Sequence, residues 1–405
     1  MMSGTSRRAL LLVALPLAIA GTASAEEESQ WTVSGNVGLQ ARYFTQDPLW
    51  PGQDPSSLQL SLSGEAEFRW RSRGGNQRGS FIPFVRLDDT DDKRTHADLR
   101  EAYWALEGET AELLIGANKV FWGVTESVHL VDIINQTDLV EDIDREDKLG
   151  QPMVNVAVQR DWGLLDLYVM PYFRERTFPG VEGRFRPPVP VDGDNAVYES
   201  GSEQAHTDLA FRYSHYFDEV DLGLYYFKGT SREPRLVLAS DGSRFLPHYD
   251  LIDQAGLDLQ YTREAWLWKL ESIVRSGFQD TFGAAVGGFE YTFFGVSESG
   301  ADVGVLMEYQ YDNRSMAEPL TFADNDVFLA TRLTLNDTQD TALLAGVTVD
   351  TKTSETFFNV EGERRIGSNM VLSLRVRVLT GSSPSEPSYA LSNDDYVQLQ
   401  FKGYF

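Results

Sequence analysis

Residues 31–43 read WTVSGNVGLQARY and residues 58–71 read LQLSLSGEAEFRWR. In the first stretch Trp31, Val33, Val37, Leu39, Ala41 and Tyr43 fall on odd positions, with Thr32, Ser34, Asn36, Gln40 and Arg42 between them. The second repeats the pattern, with Leu58, Leu60, Leu62, Ala66, Phe68 and Trp70 set against Gln59, Ser61, Ser63, Glu65, Glu67, Arg69 and Arg71. Successive side chains of a strand point to opposite faces, so each stretch is a strand with one apolar and one polar side. The same period runs through the chain. It predicts about eighteen strands, with sixteen as the nearest alternative. They fall near 31–44, 58–71, 79–88, 96–106, 111–121, 152–160, 163–173, 207–216 and 219–229. The second half adds 251–262, 265–275, 282–293, 300–312, 325–335, 341–350, 355–364, 369–379 and 394–405. In 79–88, 96–106 and 111–121 the two faces are blurred.

A soluble sandwich also alternates, so the choice between sandwich and membrane barrel rests on other features. Several predicted strands are longer than those of soluble sheets and suit a tilted crossing of about 9–11 residues. The connections alternate between very short, as at Asp161-Trp162, Phe217-Asp218 and Arg263-Glu264, and long, as in outer-membrane barrels. Aromatic side chains collect at strand ends: Trp31, Tyr43, Trp70, Phe173, Tyr261, Trp266, Tyr291, Phe293 and Tyr311. The chain stops inside a strand at Phe405, with Phe401 on the same face, and this tail resembles the assembly signal of bacterial outer-membrane barrels. Gly403 departs from that pattern, which usually has an apolar or aromatic residue there. In lipid every backbone polar group must be satisfied internally, and among strand structures only a closed barrel does so. The expected fold is therefore an all-β, antiparallel transmembrane barrel of about eighteen strands.

The N-terminus reads as an export signal. Arg7 and Arg8 precede the apolar run Ala9–Ala20, and Ala23-Ser24-Ala25 forms a small-x-small cleavage site. A run of that length rises only about 18 Å as a helix, too short to span a bilayer. Residues 1–25 are thus expected to be a signal peptide and 26–405 one barrel domain. The first strand begins so soon after Ala25 that neither a plug nor a passenger domain is expected before it. The expected location is the outer membrane of a Gram-negative bacterium, amid lipid and lipopolysaccharide, reached through the barrel-assembly machinery.

Composition removes whole classes of function. The 405 residues carry 61 acidic against 35 basic side chains, a formal net charge of −26, which lacks the basic footprint of a nucleic-acid binder. With no Cys there is no disulfide scaffold, thiolate metal site or Cys nucleophile. The five His include one suggestive neighbour pair, Ser214-His215, but adjacent strand residues face opposite ways and cannot act as nucleophile and base. An outer-membrane barrel hydrolase is accordingly the least favoured reading. A structural or adhesive barrel with a closed lumen ranks above it, and a porin-like channel for passive diffusion of small charged or organic solutes ranks first.

The inward faces would carry Arg42, Arg69, Arg71, Arg212, Lys269, Arg275, Arg332, Arg375, Arg377 and Lys402 together with Glu65, Glu67, Asp166, Asp221, Asp258, Glu271, Asp302, Glu308, Glu361 and Glu363. Rings of charge set which ions pass a wide barrel, although cross-strand ion pairs also simply line a wall. The Glu65/Glu67/Arg69/Arg71 ladder reads as wall. Arg375 and Arg377, near the seam with Lys402, read as an anion-attracting strip. Two connections stand out. Residues 122–151 contain the apolar segment His129–Ile134, odd for a solvated loop, and a long third loop of this kind either folds inward to narrow the pore or packs outside. Its acidic tail, Asp138, Glu141, Asp142, Asp144, Glu146 and Asp147, offers oxygen ligands for Ca²⁺. It has neither the turn Gly nor the spaced Glu of an EF-hand, so a solvated acidic loop is expected and no cofactor. Residues 174–206 open with Arg174, Arg176, Arg184 and Arg186, which would suit a carboxylate- or phosphate-bearing solute, with plain surface solvation as the default.

Residues 98–175, DLREAYWAL…LLIGANKVFWG…DIINQTDL…GLLDLYVMPYFRE, resemble a family of Gram-negative outer-membrane barrel proteins of unknown function. That family shares a strand-Trp-Gly turn followed by a D-x-I-N-P-x-D-like loop. Trp122-Gly123, Asp132, Asn135 and Asp138 match, while Gln136 stands in the place of the Pro. The resemblance implies an outer-membrane barrel and a channel for hydrophobic or small organic solutes. It marks Trp122, Asp132, Asn135 and Asp138 as candidate residues of a constriction loop.

Overall fold

In the computed structural model, residues 29–405 other than 299 and 354 are described. The signal-peptide expectation falls on residues outside that range. The strands are, in chain order, β1 Gln30–Phe44, β2 Leu58–Arg71, β3 Gln77–Asp88, β4 His96–Glu107, β5 Ala111–Asn118, β6 Gln151–Arg160, β7 Gly163–Met170, β8 Val197–Tyr198, β9 Asp208–Phe217, β10 Val220–Thr230 and β11 Arg235–Leu238. They continue with β12 Phe245–Tyr249, β13 Leu251–Arg263, β14 Trp266–Ser276, β15 Phe282–Phe293, β16 Asp302–Asp312, β17 Asn325–Thr334, β18 Ala342–Asp350, β19 Thr356–Ile366, β20 Met370–Thr380 and β21 Tyr396–Tyr404. Eighteen of these form one antiparallel sheet, each strand pairing with the next. The sheet closes because β1 pairs with β21 as well as β2, in a register running from Asn36↔Tyr404 to Phe44↔Tyr396. Gly35 and Phe405 exchange backbone hydrogen bonds at the end of that seam. The remaining three strands, β8, β11 and β12, make a small sheet among the long connections at one end.

The parity read from the sequence is the parity of the wall. Val33, Val37, Leu39, Leu58 and Leu60 are exposed on the outer surface, whereas Gln40, Arg42, Gln59 and Ser61 are buried inside. Aromatics gather on the outer surface at the short-turn end. There Trp266 stacks on Trp268 with centroids 5.5 Å apart and meets Tyr291 at 4.6 Å, and Trp162 stacks on Tyr213. Phe173 corrects the expected girdle: β7 ends at Met170, and Phe173 is buried against Tyr249 at 4.8 Å. Likewise β5 stops at Asn118 rather than continuing to 121, because the chain turns inward there.

Candidate functional site: an inward loop and the space beside it

The connection between β5 and β6, residues 119–150, lies inside the barrel rather than outside it. Its apolar side chains explain why. Val131, Ile133, Ile134 and Trp122 are buried in a core shared with inward side chains of the wall, among them Leu114, Met153, Tyr225, Phe227 and Ile273. On this stretch of inner wall apolar side chains are interleaved with the charged ones expected, and the loop covers both. Trp122 sits edge-on to Tyr168 at 5.7 Å and beside Tyr225 at 5.0 Å, with the Arg212 guanidinium 5.0 Å from its ring centroid. Trp122→Ala should therefore cost about 3–5 kcal/mol of loop docking. Faster proteolysis within 119–150 of an otherwise intact barrel would report it. Unchanged protection would show that the ring does not anchor the loop.

Polar anchors hold the first half of the loop. The buried Glu271 carboxylate accepts from the backbone N–H of Val124 (2.7 Å), Thr125 (3.0 Å) and Val131 (3.2 Å), and from the Thr125 hydroxyl (2.7 Å). Glu308 accepts from the N–H groups of Glu126 and Ser127, each at 2.8 Å, and from the Ser127 hydroxyl at 2.6 Å. Two wall carboxylates thus satisfy loop donors that would otherwise be buried without partners. Asn135 ties the ends of the loop together, accepting from Val120 N–H and donating to the carbonyls of Asn118 and Leu149, each at 2.8 Å. Asp132 pairs with Lys148 at 2.9 Å and accepts from Trp122 N–H at 3.4 Å. Gln136 accepts from the Arg176 Nε at 3.3 Å and donates to the Arg174 carbonyl, linking this loop to the next in a way proline could not.

Of the six acids in the second half, Asp138, Glu141 and Asp142 are buried and paired and Asp144 is half-buried, correcting the expectation of a solvated tail there, while Glu146 and Asp147 are exposed as expected. Asp138 meets Arg100 at 2.7 Å, Glu141 meets Arg86 at 2.5 Å and His96 at 2.7 Å, and Asp142 meets Arg42 at 3.3 Å and Arg375 at 2.8 Å. Asp144 lies 3.0 Å from Arg375 and 3.7 Å from Arg377. His96, Asp138 and Glu141 do bring ligand atoms within 4.8 Å of one another, but Arg86 and Arg100 already occupy their oxygens, so the donor set is one for guanidinium rather than a metal ion.

The same contacts correct the anion-attracting strip. Arg375 is neutralised by Asp142 and Asp144, and Arg377 by Glu361 at 2.6 Å, while Lys402 makes no ion pair among the described residues. Of the other expected lining residues, Arg332 and Lys269 both reach Glu126 on the loop, at 2.7 and 3.8 Å. Arg212 and Asp258 pair with each other at 2.7 Å. Glu65, Glu67, Arg69 and Arg71 lie toward the short-turn end, with Arg69 bound to Glu67 at 3.0 Å and Arg71 3.9 Å from Glu107. In the second long connection, Arg174 pairs with Asp98, Arg184 with Asp394, and Arg186 with backbone carbonyls. Of that quartet Arg176 lines the interior cavity.

Burial pushes both Asp142 and Asp144 up, but they respond differently. Arg42, Arg375 and Arg377 outweigh the burial of Asp142 and hold it at about 2, whereas burial and the charge of Asp142 push Asp144 up to about 7. Asp144 therefore loses its charge as pH falls through neutrality, leaving Arg375 and Arg377 less compensated. The lumen should gain anion preference between roughly pH 8 and 6, read as a shift in reversal potential under a salt gradient. Asp394 borders the same cavity and burial pushes it, too, up to about 7, so Asp144→Asn should reduce the shift and Asp144→Asn/Asp394→Asn should abolish it. A shift undiminished in Asp144→Asn assigns it to another group.

The loop does not fill the barrel. Between it and the wall built by β16–β20 remains a cavity of about 350 Å³, bordered by Asp326, Phe328, Thr348, Phe357 and Asn359 on the wall side. Such a volume matches small-molecule sites, which start near 300 Å³. Four of the five histidines, His96, His129, His206 and His248, lie beside carboxylates, and His215 packs against Phe217 at 4.2 Å.

No protein-family model and no curated protein matches the chain. Solved structures do match in fold. A BenF-like porin from Pseudomonas fluorescens Pf-5 aligns over 94% of this chain and 98% of its own, with TM-score 0.54 and 11% identity. Pseudomonas aeruginosa OpdQ aligns over 93% and 98%, with TM-score 0.53 and 11% identity. Wzi of Escherichia coli, a carbohydrate-binding β-barrel involved in Group 1 capsule assembly, aligns over 91% and 84%, with TM-score 0.51 and 10% identity. The chain is thus a closed eighteen-stranded antiparallel barrel that shares its fold with solved outer-membrane porins.

Proposed function

We propose that this protein is an outer-membrane channel through which small charged or organic solutes diffuse passively, narrowed by the loop between β5 and β6. The observation that carries the reading is that loop: wall carboxylates and arginines hold it inside the barrel, and a cavity lined by both signs of charge lies beside it. Trp122, Asp132, Asn135 and Asp138 are then constriction residues, acting through the shape they impose on the loop. The outward Phe401 and the terminal Phe405 fit a role as the signal read by the assembly machinery. The likeness to solved porins supports the reading through the fold. The test is single-channel recording of the refolded protein in a planar bilayer. Discrete current steps are expected. Their absence from protein shown to be folded would sink the channel and favour a closed barrel, while release of fatty acid from phospholipid would favour a hydrolase.

A further inference from the structure

At the long-loop end of the cavity one carboxylate is shared by several guanidinium groups. Glu233, in the connection between β10 and β11, lies 2.5 Å from Arg275, 3.3 Å from Arg314 and 3.7 Å from Arg145. Arg176 lines the same cavity and adds to the positive field on that carboxylate. Arg314 has a second partner in Asp312 at 2.7 Å. Among the described residues Arg145, Arg176 and Arg275 are left with Glu233 alone, so two positive charges have no counterion there. The acids across the cavity, Asp326 and Glu355, make no ion pair with this group among the described residues.

The arginines that lack compensation are also those with free donors. Among the described residues Arg145 has no hydrogen bond through its guanidinium, which lies 5.6 Å from the Phe322 ring centroid and borders the cavity. Its backbone is held at φ 65°, a left-handed conformation costly for a long side chain. Such strain gathers at functional sites, where the surrounding structure enforces it. Arg176 spends one donor on Gln136 and keeps the rest. Burial and the neighbouring Arg145 lower Arg176 to about 10, so it remains charged at neutral pH. Guanidinium forks bind carboxylate and phosphate oxygens in pairs.

We propose that Arg145, Arg176, Arg275 and Arg314 form a binding site for a small doubly charged oxyanion, phosphate or dicarboxylate, with Glu233 as the internal anion that keeps the guanidinium groups together when the site is empty. This deepens the channel reading and rests on it for its physiological use, but binding itself does not require conduction.

The test is calorimetric titration of the folded, detergent-solubilised barrel with inorganic phosphate and, separately, with butanedioate, alongside single-channel recording with the same probes. Saturable binding of at least one probe and transient current interruptions are expected. The double substitution Arg145→Gln/Arg176→Gln should weaken binding by at least about tenfold, the loss of one charge-assisted contact. Glu233→Gln should strengthen it, because it removes the competing internal anion. A purely structural role for Glu233 predicts the opposite sign, and weakening in that variant while the barrel stays folded would overturn the proposal. So would the absence of saturable binding by the native protein. Binding without conductance would keep the site and reject the channel. Conductance without binding would do the reverse. Whichever probe binds more tightly identifies the source of the oxyanion.

Discussion

Deleting residues 124–147 should raise single-channel conductance several-fold and turn the pore toward anions. The deletion is tolerable for the wall, because β5 and β6 are adjacent and paired up to Asn118↔Gln151, and the remaining residues can bridge them. Conductance rises because the apolar and polar segments that occupy the interior beside β4–β15 are gone. Selectivity changes for a different reason. The deleted segment carries Asp138, Glu141, Asp142 and Asp144, the partners of Arg100, Arg86, Arg42 and Arg375. Their removal leaves these wall arginines facing water with fewer counterions. At 0.1 M salt screening extends over about 10 Å, comparable to a narrow lumen, so the freed charges act on passing ions. The measurement is conductance together with reversal potential under a salt gradient. Unchanged conductance would show that the loop does not limit the current. Increased conductance with unchanged selectivity would show that the wall arginines find other partners.

The barrel was legible in the sequence because a wall between lipid and water has one period throughout, and β2 displays it over its whole length while β1, β13 and β20 depart from it only near their long-loop ends, at Phe44, Ile252/Asp253 and Leu379. Its failures are local and physical. In β4 the register shifts opposite Ile82/Pro83, where Arg100 has no partner of its own on β3. Arg100 reaches Asp138 on the loop, and Glu101 accepts from Ser80 on the neighbouring strand, so two successive side chains face inward and the parity reverses. Beyond that point Ala105 and, on β5, Leu114 face an interior that is apolar because the loop packs on it. Two apolar faces leave no alternation to read. Of the arginines that hold the loop's acidic half, Arg86 and Arg100 lie in blurred strands and Arg94 in the turn between them, where strand periodicity marks no inner face. Arg42, Glu271, Glu308 and Arg375 sit on clear strands and were placed on the inner face. Their partners are loop residues far away in the chain, which strand periodicity does not register. The apolar segment His129–Ile134 was the one sequence signal that the loop had a surface to cover. Glu233 and Arg145 had none, since their meeting depends on how separate loops fold over one end of the barrel.

Glu141→Ala should open the loop's second half while leaving the barrel closed. Glu141 receives Arg86 through three short contacts, of which the closest is 2.5 Å, and both side chains are buried. Removing one member of a buried ion pair strands the other, at a cost of about 3–5 kcal/mol. Among the described residues Arg86 would retain hydrogen bonds only to Ser61 at 2.7 Å and Gln40 at 3.4 Å. Arg94, which donates to the carbonyls of Val140 and Glu141, holds the same segment from the other side but adds no charge to balance Arg86. The strand ladder is untouched, so the cost falls on the loop. Amide exchange at Asp138 and Leu149, whose N–H groups bond to Asp147 and Gln136, should accelerate by roughly 100- to 4,000-fold, a decade per 1.4 kcal/mol. Open-channel noise should rise with it. Replacing both partners, as Arg86→Leu/Glu141→Leu, removes the stranded charge and should cost less than either single truncation. Protection unchanged in Glu141→Ala would mean that lumen water already solvates the pair. The pH dependence separates this latch from Asp144. Burial pushes Glu141 up, but His96, Arg86 and Arg94 together hold it well below the usual carboxylate range. Its folded pKa is depressed, so its stabilisation is fully present above the ordinary carboxylate value near 4 and fades only as pH falls further, toward the folded value. Asp144 has the opposite sign, and its charge is lost first. Mild acidification should therefore change selectivity while the loop stays docked, and only strong acid should release the loop itself.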